Sequence, residues 1–144
     1  MDKQEYQHIR NLAWDTLLQS KINSLPVDIS KIAKNYDIHY YTGNNYYDDA
    51  ISISNELLKM FGYNIELSKY LAVRLLCPMI VIKSLNIKSA KEMSNITGLP
   101  IEIANQRFER FELLLKRNAF ETSELESRLL LQFQDWITKY KRNS

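Results

Sequence analysis

The chain has little of what several protein classes require. Its 144 residues include one cysteine, Cys77, and two histidines, so it can form neither an internal disulfide nor a Cys/His zinc cluster. Three glycines and three prolines leave few turn-forming residues, which disfavours an all-β sandwich with many tight hairpins. We therefore expect a mostly helical chain from a reducing compartment.

Long apolar runs and an excess of one charge are lacking as well. No uninterrupted apolar stretch approaches the roughly 18 residues of a membrane-spanning helix, and residues 1–10 have no apolar segment of a secretory signal. Nineteen basic and 17 acidic side chains give a formal charge of +2, which is too small for an obligate nucleic-acid binder. We expect a cytoplasmic protein that is neither secreted nor membrane-spanning.

The residues that are present fit one domain, 1–144, because 45% are hydrophobic and 25% charged. Apolar positions at helical spacing predict helices that cover most of the chain. Two stretches rich in β-forming residues, 38–41 and 50–54, predict short strands. The predicted fold class is α+β and predominantly helical, with about six to seven helices and a small two- or three-stranded sheet.

Four segments, in this order, carry a resemblance to a known family. They are Leu-Pro-Val-Asp-Ile at 25–29 with Ile-Ala-Lys at 32–34, Ile-Ser-Ile-Ser-Asn at 51–55, the block at 70–78 that ends in Leu-Leu-Cys-Pro, and residues 87–110. Together they resemble the ImmA/IrrE family of zinc metallopeptidases, a zincin-like group often found beside repressors in phages and other mobile elements. The resemblance implies a zincin-like scaffold, with the small sheet in an N-terminal part, 1–78, and a helical C-terminal part, 79–144.

The catalytic helix of that family is missing from this sequence. The His-Glu-x-x-His motif, which supplies two zinc ligands and a general base, would lie between residues 55 and 67, where there is no histidine. The third ligand of the relatives aligns with Leu67, and Glu66 is one residue away, a rotation of about 100° on a helix. The resemblance therefore implies a scaffold without its chemistry, for which we expect no catalytic residue, no metal and no cofactor.

These observations favour a non-catalytic regulatory or partner-binding protein, of antirepressor type, in a bacterium or its mobile element. The partner that the resemblance suggests is a transcriptional repressor. Loss of a core helix also leaves surface to be covered, so we predict a homodimer or a stable complex with another protein. The alternative is a residual zinc metallopeptidase whose ligands come from His8, His39 and Glu66.

Tyrosines are unusually dense around the uncharged segment 42–45. Aromatic side chains that carry a hydroxyl group are enriched in protein interfaces, so the candidate partner-binding residues are Tyr40, Tyr41, Tyr46 and Tyr47. The alternative is that these tyrosines alternate between the two faces of a hairpin and cover the edge of the core.

Residues 89–110 have the outline of a helix-turn-helix, with Gly98 at the turn. A DNA-binding regulator is therefore a further alternative, although we do not expect nucleic acid as the main partner. The side chains that would face the bases are Asn105, Gln106, Arg107 and Arg110. The acidic residues Glu102 and Glu109 lie in the same helix and make it less typical of a recognition helix. The competing interpretation is that this helix pair packs against the rest of the domain.

Overall fold

A computed structural model describes residues 3–40, 45–120 and 123–143, and within these ranges it contains helices and no strand. The α-helices, in chain order, are α1 (Lys3–Gln19), α2 (Ile29–Asn35), α3 (Tyr46–Met60), α4 (Ser68–Leu76), α5 (Met79–Ser84), α6 (Ala90–Thr97), α7 (Ile101–Arg117), α8 (Glu124–Gln132) and α9 (Gln134–Arg142), and a 3-10 turn (Ile65–Leu67) precedes α4. The predicted α+β class with its zincin-like sheet is therefore wrong. The fold of the described residues is all-helical.

The strand predicted at 50–54 is the middle of α3. The Asn45 side chain caps this helix by accepting a hydrogen bond from the Asp48 N–H, 2.9 Å away, and Asp48 and Asp49 lie in the first turn, where negative charge favours a helix. Buried positions recur at helical spacing, at Ala50, Ile53, Ser54, Leu57 and Leu58. The alternation of isoleucine and serine is part of this longer stripe.

The other predicted strand, 38–41, has no regular secondary structure over residues 38–40. Tyr41 lies outside the described residues. Ile38 ends the segment that follows α2, where its N–H donates to the Ala33 carbonyl at 2.8 Å. Such a bond is typical of a helix C-terminus. The β-forming residues 38–40 therefore follow the end of α2 and do not form a strand.

Helical spacing predicts helices over 65–76, 79–85, 88–97 and 100–117, and the structure has α4 to α7 there. The single last helix predicted from residue 123 onward is two helices, α8 and α9. The Ser89 and Ser123 side chains cap α6 and α8 by accepting from the N–H groups of Glu92 and Glu126. Gly98 ends α6 at φ 76°, a left-handed conformation that glycine adopts at little cost. These residue types mark boundaries without help from distant contacts.

The core is one cluster of buried side chains to which all the α-helices contribute. α4 lies at its centre and packs on both α1 and α3. Its side chains Leu71, Ala72, Leu75 and Leu76 are each at most 1% exposed. No helix in the described ranges has the length and apolar character needed to cross a bilayer.

Candidate functional site

A cavity of about 450 Å³ opens between α1, α4, α5, α7 and the start of α8. Five of its described lining side chains are cationic and one is a carboxylate, Glu126. The cationic ones are Lys3, Arg10, Arg74, Arg107 and Arg110. We call this site the arginine cavity.

The α1 helix presents a stripe of side chains to the arginine cavity and a different stripe to the core. The cavity stripe follows helical spacing and comprises Lys3, Tyr6, Gln7, Arg10 and Trp14. The buried stripe contains Ile9, Leu12, Ala13 and Leu17. Because the core stripe fixes the rotation of the helix, it also fixes the direction of the cavity stripe.

Arg10 is held by a short chain of hydrogen bonds along α1. Its Nη2 donates to Gln7 Oε1 at 2.8 Å, and Gln7 Nε2 donates to Asn11 Oδ1 at 3.1 Å. The Arg10 Nε atom is buried and has no hydrogen-bond partner. One donor of this guanidinium is therefore unsatisfied.

Arg74 reaches the cavity from α4, where it stacks on a tyrosine one turn earlier. Its guanidinium carbon lies 3.3 Å from the centroid of the Tyr70 ring, and Nη1 donates to the Tyr70 carbonyl at 3.2 Å. The Tyr6 ring packs on Tyr70, with the two centroids 4.8 Å apart. This layered contact fixes the guanidinium plane, as cation–π pairs do.

Arg107 is the most deeply buried of the cavity cations, with 9% of its surface exposed. It comes from α7 and lies beside the Cys77 thiol, at the end of α4, where its positive charge acts on the pKa of that thiol. Its Nε is buried without a hydrogen-bond partner. Arg110, one turn further along α7, is exposed at the cavity mouth.

Burial and like charge act together on these side chains. Removal from water, followed by the positive charges of Arg107 and Arg10, lowers the pKa of Arg74 to about 10. Burial also raises the pKa of the Cys77 thiol, and the neighbouring Arg107 and Arg74 only partly oppose this. At neutral pH the site therefore holds several guanidinium cations and one carboxylate, that of Glu126, beside a protonated thiol. The cations outnumber the carboxylate, and a bound anion would offset the remaining positive charge.

The partner-binding tyrosines predicted from sequence do not form one exposed patch in the described residues. Tyr46 is mostly buried, its hydroxyl donates to the Val27 carbonyl at 2.5 Å, and its ring packs so close to Gly98 that a Cβ there would lie 2.7 Å away. Tyr40 and Tyr47 are half-buried. Tyr41 is outside the described residues.

The residues of the DNA-binding alternative fall on two faces of α7. Asn105, Gln106 and Arg110 are exposed, whereas Arg107 is buried in the arginine cavity. The exposed face also carries Glu102 and Glu109. α6 and α7 pack on each other as the outline predicted, but Arg107 is directed to the interior and not towards a groove.

The residual zinc site is not assembled in the part of the chain that the structure describes. His8, His39 and Glu66 are all exposed, and no group of three or more His, Cys, Asp or Glu side chains there could hold one metal ion. The aromatic ring of His8 faces Tyr63, with the centroids 6.3 Å apart.

Sequence reasoning missed Arg10 and Arg74 as site residues and assigned Arg107 a different role. One signal was available for Arg74, which interrupts the otherwise apolar run 71–76. A charge on the buried face of a helix needs a partner or a ligand. No pattern within a single helix indicates that α1, α4 and α7 contribute side chains to the same cavity.

Comparison with known proteins gives no relative: no family model, no curated protein and no solved structure matches this chain. The ImmA/IrrE resemblance thus stays a prediction, and the scaffold it implied is not the one described above.

Proposed function

We propose that this protein is a non-catalytic, regulatory binding protein whose ligand is a small anion held in the arginine cavity. Arg10, Arg74 and Arg107 would bind the anionic group, and Arg110 and Lys3 would attract it at the mouth. This proposal keeps the non-catalytic role predicted from sequence and replaces the zincin-like scaffold by a helical binding cavity. A cytoplasmic location is part of the proposal, supported by the buried free thiol of Cys77.

The observation that carries the proposal is the unpartnered Nε of Arg107. A charged donor that is about nine-tenths buried costs free energy unless an acceptor meets it. Two more guanidinium groups share the cavity, and the Arg10 Nε is unpartnered too. Phosphate and carboxylate oxygens match the forked donors of arginine, so an anion would satisfy these groups and offset their repulsion.

The described lining favours binding over catalysis. General acid–base or nucleophilic catalysis needs a base positioned beside the group that it activates. The described lining contains no histidine and no serine or threonine hydroxyl for its one carboxylate, Glu126, to activate, and its cysteine is buried with a raised pKa. A thiol that stays protonated at neutral pH is a weak nucleophile.

Thermal unfolding with added inorganic phosphate tests the proposal. Phosphate at about ten times its Kd stabilises a folded protein by about 1.4 kcal/mol. For a domain of this size that corresponds to a rise in Tm of about 3–6 °C. We expect such a saturable rise in wild-type protein at constant ionic strength, with sodium chloride replaced by sodium phosphate.

The matched controls are Arg107→Met and Arg128→Met, which remove one positive charge each. Arg107 lies in the cavity, whereas Arg128 is exposed on α8. We expect Arg107→Met to lose the phosphate response and Arg128→Met to keep it. Equal responses in the three proteins, or none in the wild type, would show that the cavity does not bind anions.

A second candidate function, binding of a protein partner, is favoured by a different surface. Met60, Phe61 and Ile65, around the end of α3, are 54%, 47% and 47% exposed, and neighbouring exposed apolar side chains are typical of interaction sites. The partner proposed here is a second copy of the chain. Light scattering at micromolar concentration would give a dimer, and Phe61→Ser would give a monomer; a monomeric wild type would exclude this candidate.

A further inference from the structure

The lining of the arginine cavity changes in character along two of its helices. On α1, Trp14 follows Arg10 by one turn, and on α7, Leu114 follows Arg110 by one turn. A helical turn advances by about 5.4 Å. The cations are thus followed, along both helices, by large apolar side chains.

Residues next to the helix ends extend this apolar lining. Pro78, Met79 and Ile80 follow Cys77 directly, and Phe120 lies beyond the end of α7. Phe120 is held in place by the ring of Phe111, with centroids 6.0 Å apart, and by Lys83 Nζ, which lies 5.0 Å from its ring centroid. This part of the wall is fixed by its own contacts.

The size of the cavity exceeds the need of a lone inorganic anion. Its volume of about 450 Å³ lies in the range of sites for small organic molecules, roughly 300–1,000 Å³. A phosphate ion has five heavy atoms and would contact the cations while leaving the apolar lining in water. Binding sites of organic ligands combine an apolar lining with a few polar groups that fix the orientation.

We propose that the ligand is a phosphate monoester with an apolar, ring-containing organic group. Its phosphate would contact Arg10, Arg74 and Arg107, and its ring would pack against Trp14, Leu114 and Phe120. This inference rests on the proposed function and adds the chemical class of the ligand.

The number of cations favours a phosphate monoester over a carboxylate. A monoester carries between one and two negative charges at neutral pH and three terminal acceptor oxygens, whereas a carboxylate has one charge and two oxygens. Arg107 and Arg10 each offer an unpartnered Nε, and Arg74 adds a third guanidinium. Three guanidinium groups therefore match the charge and the acceptors of a phosphate better than those of a carboxylate.

Isothermal titration calorimetry with three probes tests the inference: phenyl phosphate, inorganic phosphate and benzoate. Phenyl phosphate shares its charged group with the second probe and its ring with the third. We expect phenyl phosphate to bind at least about tenfold more tightly than either, because only this probe satisfies the guanidinium groups and also buries apolar surface.

Two variants assign the two ends of the ligand. Arg107→Met should weaken phenyl phosphate by about 10–100-fold, because a charge-assisted hydrogen-bond donor is lost. Leu114→Ala should reduce the preference for phenyl phosphate over inorganic phosphate, and Leu114→Gln, of similar size, should do the same. Leu115→Ala is the control, because Leu115 is 46% exposed and absent from the described lining.

The outcomes separate this inference from the proposed function. If inorganic phosphate and phenyl phosphate bind equally well, the cavity binds anions and the inference about the organic group is wrong. If benzoate binds as tightly as phenyl phosphate, the assignment of a phosphate is wrong. If none of the three probes binds to the wild-type protein, the proposed function itself is wrong.

Discussion

Replacing Arg74 by methionine should make the ligand-free protein more stable. Arg74 is charged at neutral pH in both the folded and the unfolded state, but folding lowers its pKa from the usual arginine range to about 10. Folding therefore disfavours the charged form of Arg74. The contribution of this group to stability rises only when the pH increases above about 10, where the folded protein loses the charge before the unfolded chain does. At neutral pH the full penalty is present, and methionine removes it while keeping much of the apolar stem.

The size of the effect follows from the pKa and from two contacts. The decrease in pKa corresponds to a penalty of about 3 kcal/mol, because each unit is about 1.4 kcal/mol. Methionine also loses the hydrogen bond to the Tyr70 carbonyl and the stacking of the guanidinium on the Tyr70 ring, each about 1 kcal/mol. The expected net gain in unfolding free energy is about 1 kcal/mol.

Urea denaturation at low ionic strength, in a chloride buffer without phosphate, measures this change. Arg74→Met should unfold at higher urea concentration than both the wild type and Arg128→Met, with an unchanged m-value. It should also bind phosphate more weakly than the wild type. Such a gain in stability at the cost of binding is typical of functional sites. A variant less stable than Arg128→Met would refute the claim that the cavity holds an excess of positive charge over the one carboxylate in its described lining.

Two predictions concern the fold. Leu75→Ala should reduce the unfolding free energy by about 2–5 kcal/mol, because Leu75 is 1% exposed in the core. Urea denaturation measures this change, and a loss below about 1 kcal/mol would contradict the burial of Leu75. Gly98→Ala should destabilise by more than the roughly 1 kcal/mol expected for a left-handed residue alone, since the new Cβ would lie 2.7 Å from the Tyr46 ring. Gly98→Ala combined with Tyr46→Leu should recover part of that loss in the same assay.

Local signals explain which parts of the fold the sequence predicts. Serine caps, the glycine at the end of α6 and apolar stripes lie within one helix each, and they predict α6 and α7 at nearly their observed bounds and the start of α8. The break between α8 and α9 has no such local signal. α3 was predicted wrongly, because Ile51 and Ile53 alternate with serines over a few residues, and such a short window fits both a strand and a helix. The Asn45 cap and the burial of Leu57 and Leu58 stabilise the helix over the strand.

The arginine cavity depends on contacts that no short window contains. Arg10, Arg74 and Arg107 are far apart in the sequence, and each alone is an ordinary helical residue. Their meeting depends on the packing of α1 and α4 and on the placement of α7, which the core determines. The interruption of an apolar run by Arg74 was the one local sign of a buried charge.

The most direct test of the central claim observes the two unpartnered donors themselves. Proton–nitrogen NMR spectra of the arginine side chains resolve Nε–H groups, and Arg10→Lys and Arg107→Lys variants would assign the two buried signals. If the cavity binds anions, both signals shift with added phenyl phosphate along one saturable curve while the signal of exposed Arg128 stays in place. Shifts that are equal for all arginines, or that do not saturate, would contradict an anion site at Arg10 and Arg107.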